Sequence, residues 1–168
     1  METTRIAVIS DTHMPRGARR LPDACVERLR SADLILHAGD FVTVGVLEEI
    51  EAIGPPVAGV YGNVDEPEMV MRLPGARVVE AEGARIAIVH DAGAAAGRLE
   101  RMRRRFRDAD AVVFGHSHIP LHEQDFDGGF QIFNPGSPTE RRRSPRHTMG
   151  MCRAEGGNLA FELVDLGA

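Results

Sequence analysis

The chain has 168 residues, 20 of them basic and 25 acidic, for a formal net charge of −5 at neutral pH. With 43% hydrophobic and 27% charged residues, that length suits one domain with a sizeable core and excludes a disordered or low-complexity chain. The acidic balance makes a general polyanion binder a poor reading, and no apolar run approaches the ~18 residues of a membrane-spanning helix.

In chain order, Arg5 to Ser10 is a short β-branched run that predicts a buried strand. Leu21 to Arg30 predicts a helix with Pro22 in its first turn and Leu21, Cys25 and Leu29 on one face. Asp33 to His37 is a second strand. Thr43 to Ile53 is a helix capped by Thr43 and stopped by Gly54-Pro55-Pro56, and Val57 to Tyr61 is a third strand. Glu66 to Leu73 has room for one or two helical turns, and Arg77 to Glu82 and Arg85 to Val89 flank a tight turn at Gly83. Gly93 to Arg107 predicts a helix with Leu99, Met102 and Phe106 inward and Arg98, Arg101, Arg104 and Arg105 on a solvated face. Ala111 to Phe114 is another buried strand. Two hairpins follow: Leu121 to Phe126 with Phe130 to Phe133 around Asp127-Gly128-Gly129, and Thr148 to Arg153 with Leu159 to Leu166 around Glu155-Gly156-Gly157. In the last strand Leu159, Phe161 and Leu163 alternate with Ala160 and Glu162, the period of a half-buried strand. The pattern is two packed sheets with helices outside, in one domain spanning residues 1–168.

The chemistry gathers at strand ends. Successive buried strands end in Asp11-Thr12-His13, Gly39-Asp40, Gly62-Asn63, His90-Asp91 and Gly115-His116-Ser117-His118. The carboxyl edge of such strands is where α/β sheets bind ligands. Each fragment alone is weak: a D-x-H is often a capped turn, and a Gly-Asn is usually a turn. Five strand ends all delivering metal-ligand side chains are hard to obtain by chance.

On these residues, and on Asn134-Pro135-Gly136-Ser137, the sequence resembles the calcineurin-like metallophosphoesterases, in their small single-domain bacterial and archaeal phosphodiesterase branch. The likeness runs from Arg5 to about Leu166. It implies an α/β fold, a four-layer αββα sandwich of two mixed sheets, and a centre of two divalent metal ions. Asp11, His13 and His118 would hold the first ion, Asn63, His90 and His116 the second, and Asp40 would bridge them. Imidazole with carboxylate and amide oxygen suits manganese first, with iron, zinc or nickel also accepted. Metals ~3.5–4 Å apart can clamp a phosphoryl group and activate a bridging hydroxide for in-line attack. The resemblance therefore implies a phosphoesterase, most simply a phosphodiesterase, with Asp40, Asn63 and His90 in the catalytic set and a small phosphate ester as substrate.

Two departures stand out. Active family members commonly read Gly-Asn-His, and that His can protonate the leaving group, but here the position is Val64. The family usually has Gly after the fourth ligand segment, whereas Asp91 stands here, either capping the Gly93 to Arg107 helix or acting at the metals. His37 reads as a supporting or core residue, and His122 and His147 as exposed or structural. The loop Arg141 to Arg146 either presents Arg142 and Arg143 to phosphate or is simply solvated; lacking interleaved aromatics, it gives no clear nucleic-acid signal. The rival reading of the whole is a non-catalytic interaction scaffold of the retromer-subunit kind. Cys25 and Cys152, far apart and in no C-x-x-C motif, together with the lack of a long apolar stretch in Met1 to Ser10, lead to an expectation of a cytoplasmic protein without a signal peptide. A homo-oligomer is compatible with the sequence.

Overall fold

Residues 2–14, 19–127 and 129–168 are described by the structure, a computed structural model. The first predicted strand is β1 (Thr3–Ile9), followed by α1 (Asp23–Ser31), β2 (Leu34–His37), α2 (Val44–Glu51), β3 (Val57–Gly59) and α3 (Pro67–Arg72). The second half runs β4 (Ala76–Ala81), β5 (Ala84–Val89), α4 (Arg98–Arg105), β6 (Ala111–Val113), β7 (Leu121–Gln124), β8 (Gln131–Asn134), β9 (His147–Glu155) and β10 (Asn158–Gly167).

Two five-stranded mixed sheets form, in the orders β10-β9-β1-β2-β3 and β4-β5-β6-β8-β7. Strand alternation explains how they stack. Ile6 and Val8 of β1 point between the sheets, where they join Leu36, Ile86, Ile88 and Phe133. Ala7 and Ile9 point the other way and pack on Cys25 and Leu29 of α1 and Leu47 and Ile50 of α2. On the second sheet Ala87, Val112 and Ile132 face outward against Met102 of α4. The layers are therefore helix, sheet, sheet, helix, the expected αββα sandwich. No helix among the described residues is long and apolar enough to cross a membrane.

The local signals behave as their chemistry dictates. Thr43 caps α2 by accepting from the Val46 N–H. Glu82 and Gly83 both take positive φ, 50° and 80°, to close the β4–β5 turn. Pro22 stands at the N-cap of α1 rather than inside its first turn. Gly128, in the turn expected between β7 and β8, lies outside the described residues.

Three expectations are corrected. The helix expected from Gly93 begins only at Arg98, because Gly93 and Gly97 take left-handed φ of 82° and 70°. Arg101 is not on a solvated face: its guanidinium donates to the carbonyls of Ala92, Ala94 and Ala96 and ties down the irregular segment before α4. In β10, Leu163 is 45% exposed. The inward stripe stops at Phe161, and the strand instead buries Val164 on the helix side.

Candidate metal centre

Parallel pairing brings the chemistry to one edge. β1, β2 and β3 run parallel in one sheet, and β5, β6 and β8 in the other. Their carboxyl ends carry Asp11 and His13, Asp40, Asn63, His90, His116 and His118. Asp11, His13, Asp40, His116 and His118 all hold positive φ, between 46° and 73°. Such conformations cost free energy for residues other than glycine and persist only where the surroundings impose them. Here the Asp11 N–H donates to Gly39 O and the His13 N–H to Asp40 O, lacing the first two strand ends together.

Seven side chains converge in two groups. In the first triad His118 Nε2 lies 3.4 Å and His13 Nε2 3.8 Å from Asp11 Oδ1. In the second group Asn63 Oδ1 is 3.0 Å from His90 Nε2 and 3.2 Å from His116 Nδ1. Asp40 Oδ2 stands between the groups, 3.4 Å from His13 Nε2 and 3.1 Å from His90 Nε2. The donor atoms of Asp11, His13 and His118 lie within 4.8 Å of one another, as do those of Asp40, His90 and His116.

Close packing aims these groups. Asp11 Oδ2 accepts from Ser10 Oγ at 2.6 Å and from the His116 N–H at 3.0 Å, which leaves Oδ1 for the cluster. A Cβ on Gly115 would sit 2.4 Å from Asp11 Oδ2, and one on Gly62 would sit 2.2 Å from Asp40 Oδ1. Only glycine lets these strand ends approach so closely. Asp65 accepts from the backbone N–H groups of Gly62, Asp40 and Val42, pinning the strained loop that carries Asp40. His37 is fully buried and stacked on Phe41. Its Nδ1 accepts from the Gly39 N–H, so in the neutral ring Nε2 carries the proton and donates to Thr12 Oγ1. Burial pushes its pKa down to about 3, and it stays a neutral support, as expected.

Sequence reasoning missed Glu140. Its main-chain carbonyl accepts from His118 Nδ1, and its carboxylate lies 3.5 Å from His13 Nδ1. Arg19 binds the other oxygen at 3.0 Å. Both imidazoles are thus braced through Nδ1 with Nε2 turned to Asp11, an arrangement typical of metal-ligating histidine. The position follows Asn134-Pro135-Gly136-Ser137 by three residues, and Ser137 Oγ accepts the Glu140 N–H.

Electrostatics follow from this crowding. Burial opposes ionisation of Asp11, but His118 and His13 beside it prevail and hold its carboxyl well below the usual range. Burial likewise opposes ionisation of Asp40, and His13 and His90 hold it low. Burial would lower His13, yet Asp11 and Asp40 lift it to about 9. His90 is raised against burial by Asp40 and Asp11. Asp11 Oδ1, His13 Nε2 and His118 Nε2 are buried with no hydrogen-bond partner among the described residues. Unpaired buried polar atoms are costly. Three of them facing one another, from one carboxylate and two imidazoles, fit a divalent cation.

Other expected site residues lie outside the cluster. Asp91 is exposed and accepts from the Gly93 N–H, closing a turn ahead of α4 rather than capping the helix. Arg142 and Arg143 are exposed on the loop after Glu140, and no hydrogen bond or ion pair of their side chains occurs among the described residues. Arg141 and Arg146 are spent locally, on the Ser144 carbonyl and on Asp165. His122 binds Gln131, a structural role. A cleft of about 550 Å³ is lined by Arg5, Arg28, Met151 and Glu162, among others, and holds no residue of the cluster.

Comparison with known proteins identifies the family. A family model of the calcineurin-like phosphoesterase superfamily domain matches residues 4–157. A probable metallophosphoesterase from Methanothermobacter thermautotrophicus is 34% identical over 165 residues, 97% of this chain and 93% of the relative. The solution structure of a Thermotoga maritima protein superposes with a TM-score of 0.75 at 29% identity, over 97% of this chain and 99% of that one. Vps29 from Entamoeba histolytica, crystallised with zinc, shares the fold at 21% identity and a TM-score of 0.75, over 96% and 98% of the two chains. With the family's domain matched over most of its length, the chain belongs to the calcineurin-like phosphoesterase superfamily.

Proposed function

We propose that the protein is a dinuclear metal-dependent phosphodiesterase. The observation that carries this reading is the pair of ligand groups sharing the Asp40 carboxylate, with buried, unpartnered donor atoms in the first. Asp11, His13 and His118 would hold one divalent ion and Asn63, His90 and His116 the other, with Asp40 common to both. Two such ions, manganese by preference, would supply charge neutralisation of the phosphate and Lewis-acid activation of water.

The remaining work falls to the chain itself. Ser10 and the His116 N–H hold Oδ2 of Asp11 and leave Oδ1 to the site, and Asp65 holds the backbone that aims Asp40. Asn63 and His90 border the opening of the site, where a phosphate would meet them. Arg142 and Arg143 lie two and three residues after Glu140, so a guanidinium from this loop is a candidate to bind a phosphate oxygen. Val64 stands where the family commonly has a proton donor, and its contribution is only a main-chain N–H to Asp40 Oδ1 at 3.0 Å. A diester with a good leaving group suits that lack. The free, buried Cys25 and Cys152 fit a reducing compartment such as the cytoplasm.

The test is a panel of phosphomonoesters, phosphodiesters and cyclic nucleotides assayed with manganese, iron, zinc and nickel. Metal-dependent hydrolysis that favours diesters is expected. Metal binding with no turnover of any ester would favour the scaffold reading instead.

A further inference from the structure

A cleft of about 440 Å³ opens beside the second ligand group, and Asn63 and His90 form part of its wall. That volume lies within the range of small-ligand pockets. Besides Asn63 and His90, the lining includes Tyr61, Gly75, Ala76 and Val89. Ala76 and Val89 are cross-strand partners in the β4–β5 pair. Tyr61 is held to the adjoining segment by its N–H to the Pro74 carbonyl, at 3.1 Å. Gly75 keeps the place open: a Cβ there would lie 3.1 Å from the Tyr61 hydroxyl. Arg105 joins the lining with its guanidinium 4.9 Å from the Phe106 ring centroid, and Asp91 supplies the opposite charge.

We infer that this cleft seats a flat, uncharged ester substituent, of the aryl or nucleobase class, on a phosphodiester whose phosphate lies at the two ligand groups. The inference rests on the phosphoesterase reading and adds the substrate class. A phosphate bordered by Asn63 and His90 starts one ester substituent at the cleft wall. A phosphomonoester or a dimethyl ester would leave most of the cleft as solvent. The Tyr61 ring, the Ala76–Val89 pair and the Arg105 guanidinium in the lining favour a ring over a flexible chain. The formal charges of Arg105 and Asp91 cancel, so a neutral ring suits the cleft better than a second anion.

The chain supplies its own reporter, because Tyr61 is the single tyrosine and tryptophan is absent. With tyrosine ring carbons labelled, one set of signals reports on this cleft. Metal-free and zinc-loaded protein would be titrated with diphenyl phosphate and with dimethyl phosphate, symmetric diesters that differ only in their substituents. Diphenyl phosphate should shift the Tyr61 signals and bind about tenfold or more tightly than dimethyl phosphate, as expected for burial of one ring. Gly75→Leu and Ala76→Leu, each checked for an unchanged melting temperature, should erase that advantage and leave dimethyl phosphate binding as it was. Should either variant fail to fold, Arg105→Gln at the exposed rim should reduce the same advantage. Equal binding of the two diesters, or tight binding of diphenyl phosphate without movement of the Tyr61 signals, would overturn the proposal. Hydrolysis is scored separately. Absence of turnover with the aryl preference intact would refute the reaction and leave the cleft assignment standing.

Discussion

The two ligand groups share Asp40 but are built differently. Asp11, His13 and His118 are between 0 and 3% exposed, and their outward ring nitrogens are braced by Glu140, itself tied to Arg19. The second group has no carboxylate beyond the shared one. Among the described residues, His90 Nδ1 is braced by the Ala38 carbonyl alone, at 2.8 Å, and Asn63 is exposed. Low dielectric and an added carboxylate both strengthen attraction for a cation. On the proposed reading the first group would hold its ion more firmly, and the second would present an ion and a phosphate to solvent. The cleft lined by Tyr61 borders Asn63 and His90 of the second group.

The largest break in this comparison comes from removing what the groups share. Asp40→Ala should empty or cripple both sites and abolish activity, whereas Asn63→Ala should weaken the second ion alone. Metal content of the purified variants distinguishes the cases. Near-full double occupancy in the Asp40 variant would sink the bridging assignment.

Next in size is the proton missing beside the second group. General acid assistance contributes ~10²–10⁴-fold when the leaving group is poor. Val64 cannot give it, and His37 is buried, neutral and committed to Gly39 and Thr12. Rates should therefore fall steeply as leaving-group pKa rises, and Val64→His should flatten the slope. A shallow slope in the natural protein would mean that another acid serves.

Glu140 sharpens the contrast from the other side. Glu140→Gln keeps the size of the side chain but removes the charge facing His13. Loss of such a supporting carboxylate typically costs ~10–100-fold in metal affinity. The loss should fall on the first ion, while the second keeps its affinity. Calorimetric titration of the metal-free variant resolves the two sites, and an equal loss in both would contradict the asymmetry.

How much of this was legible without coordinates follows from where each contact lies in the chain. The seven candidate ligands sit in short contiguous motifs just past strand ends, so the motifs alone mark them as candidates, while the positive φ that aims five of them is set by contacts no motif shows. The sandwich was legible because continuous apolar runs such as Ile6 to Ile9 mark strands buried on both faces. The supports were not. Arg19 meets Glu140 and Ser137 meets Asp11 across more than a hundred residues of chain, and no local pattern marks such a pairing. Arg101 misled because an arginine that plugs carbonyls looks, in sequence, like one that faces water. Asp65 shows the same blindness: its three main-chain partners depend on how β2 and β3 end, and no side-chain pattern shows that.

The smallest expected effect is a difference in proton release. In metal-free protein His13 titrates at about 9, above its ordinary value, because Asp11 and Asp40 favour the charged ring over the opposing effect of burial. At neutral pH the ring is therefore protonated at both nitrogens, and Nε2 must lose its proton before it can bind a cation. Loading the first site should release about one proton from His13, and affinity should rise about tenfold per pH unit until it levels near pH 9. The same shift has a sign for stability. A raised histidine pKa stabilises the metal-free fold fully below the unfolded value of about 6.5. That contribution should fade as pH climbs through about 9. Metal-loaded protein, whose His13 is already neutral, should lack this decline. Because Glu140 also raises His13, Glu140→Gln should move the levelling point to lower pH. Titrations in buffers of different ionisation enthalpy count the protons, and thermal melts across the same range follow the stability. A pH-independent affinity for the first ion, or parallel stability profiles with and without metal, would show that His13 does not carry the charge the geometry assigns to it.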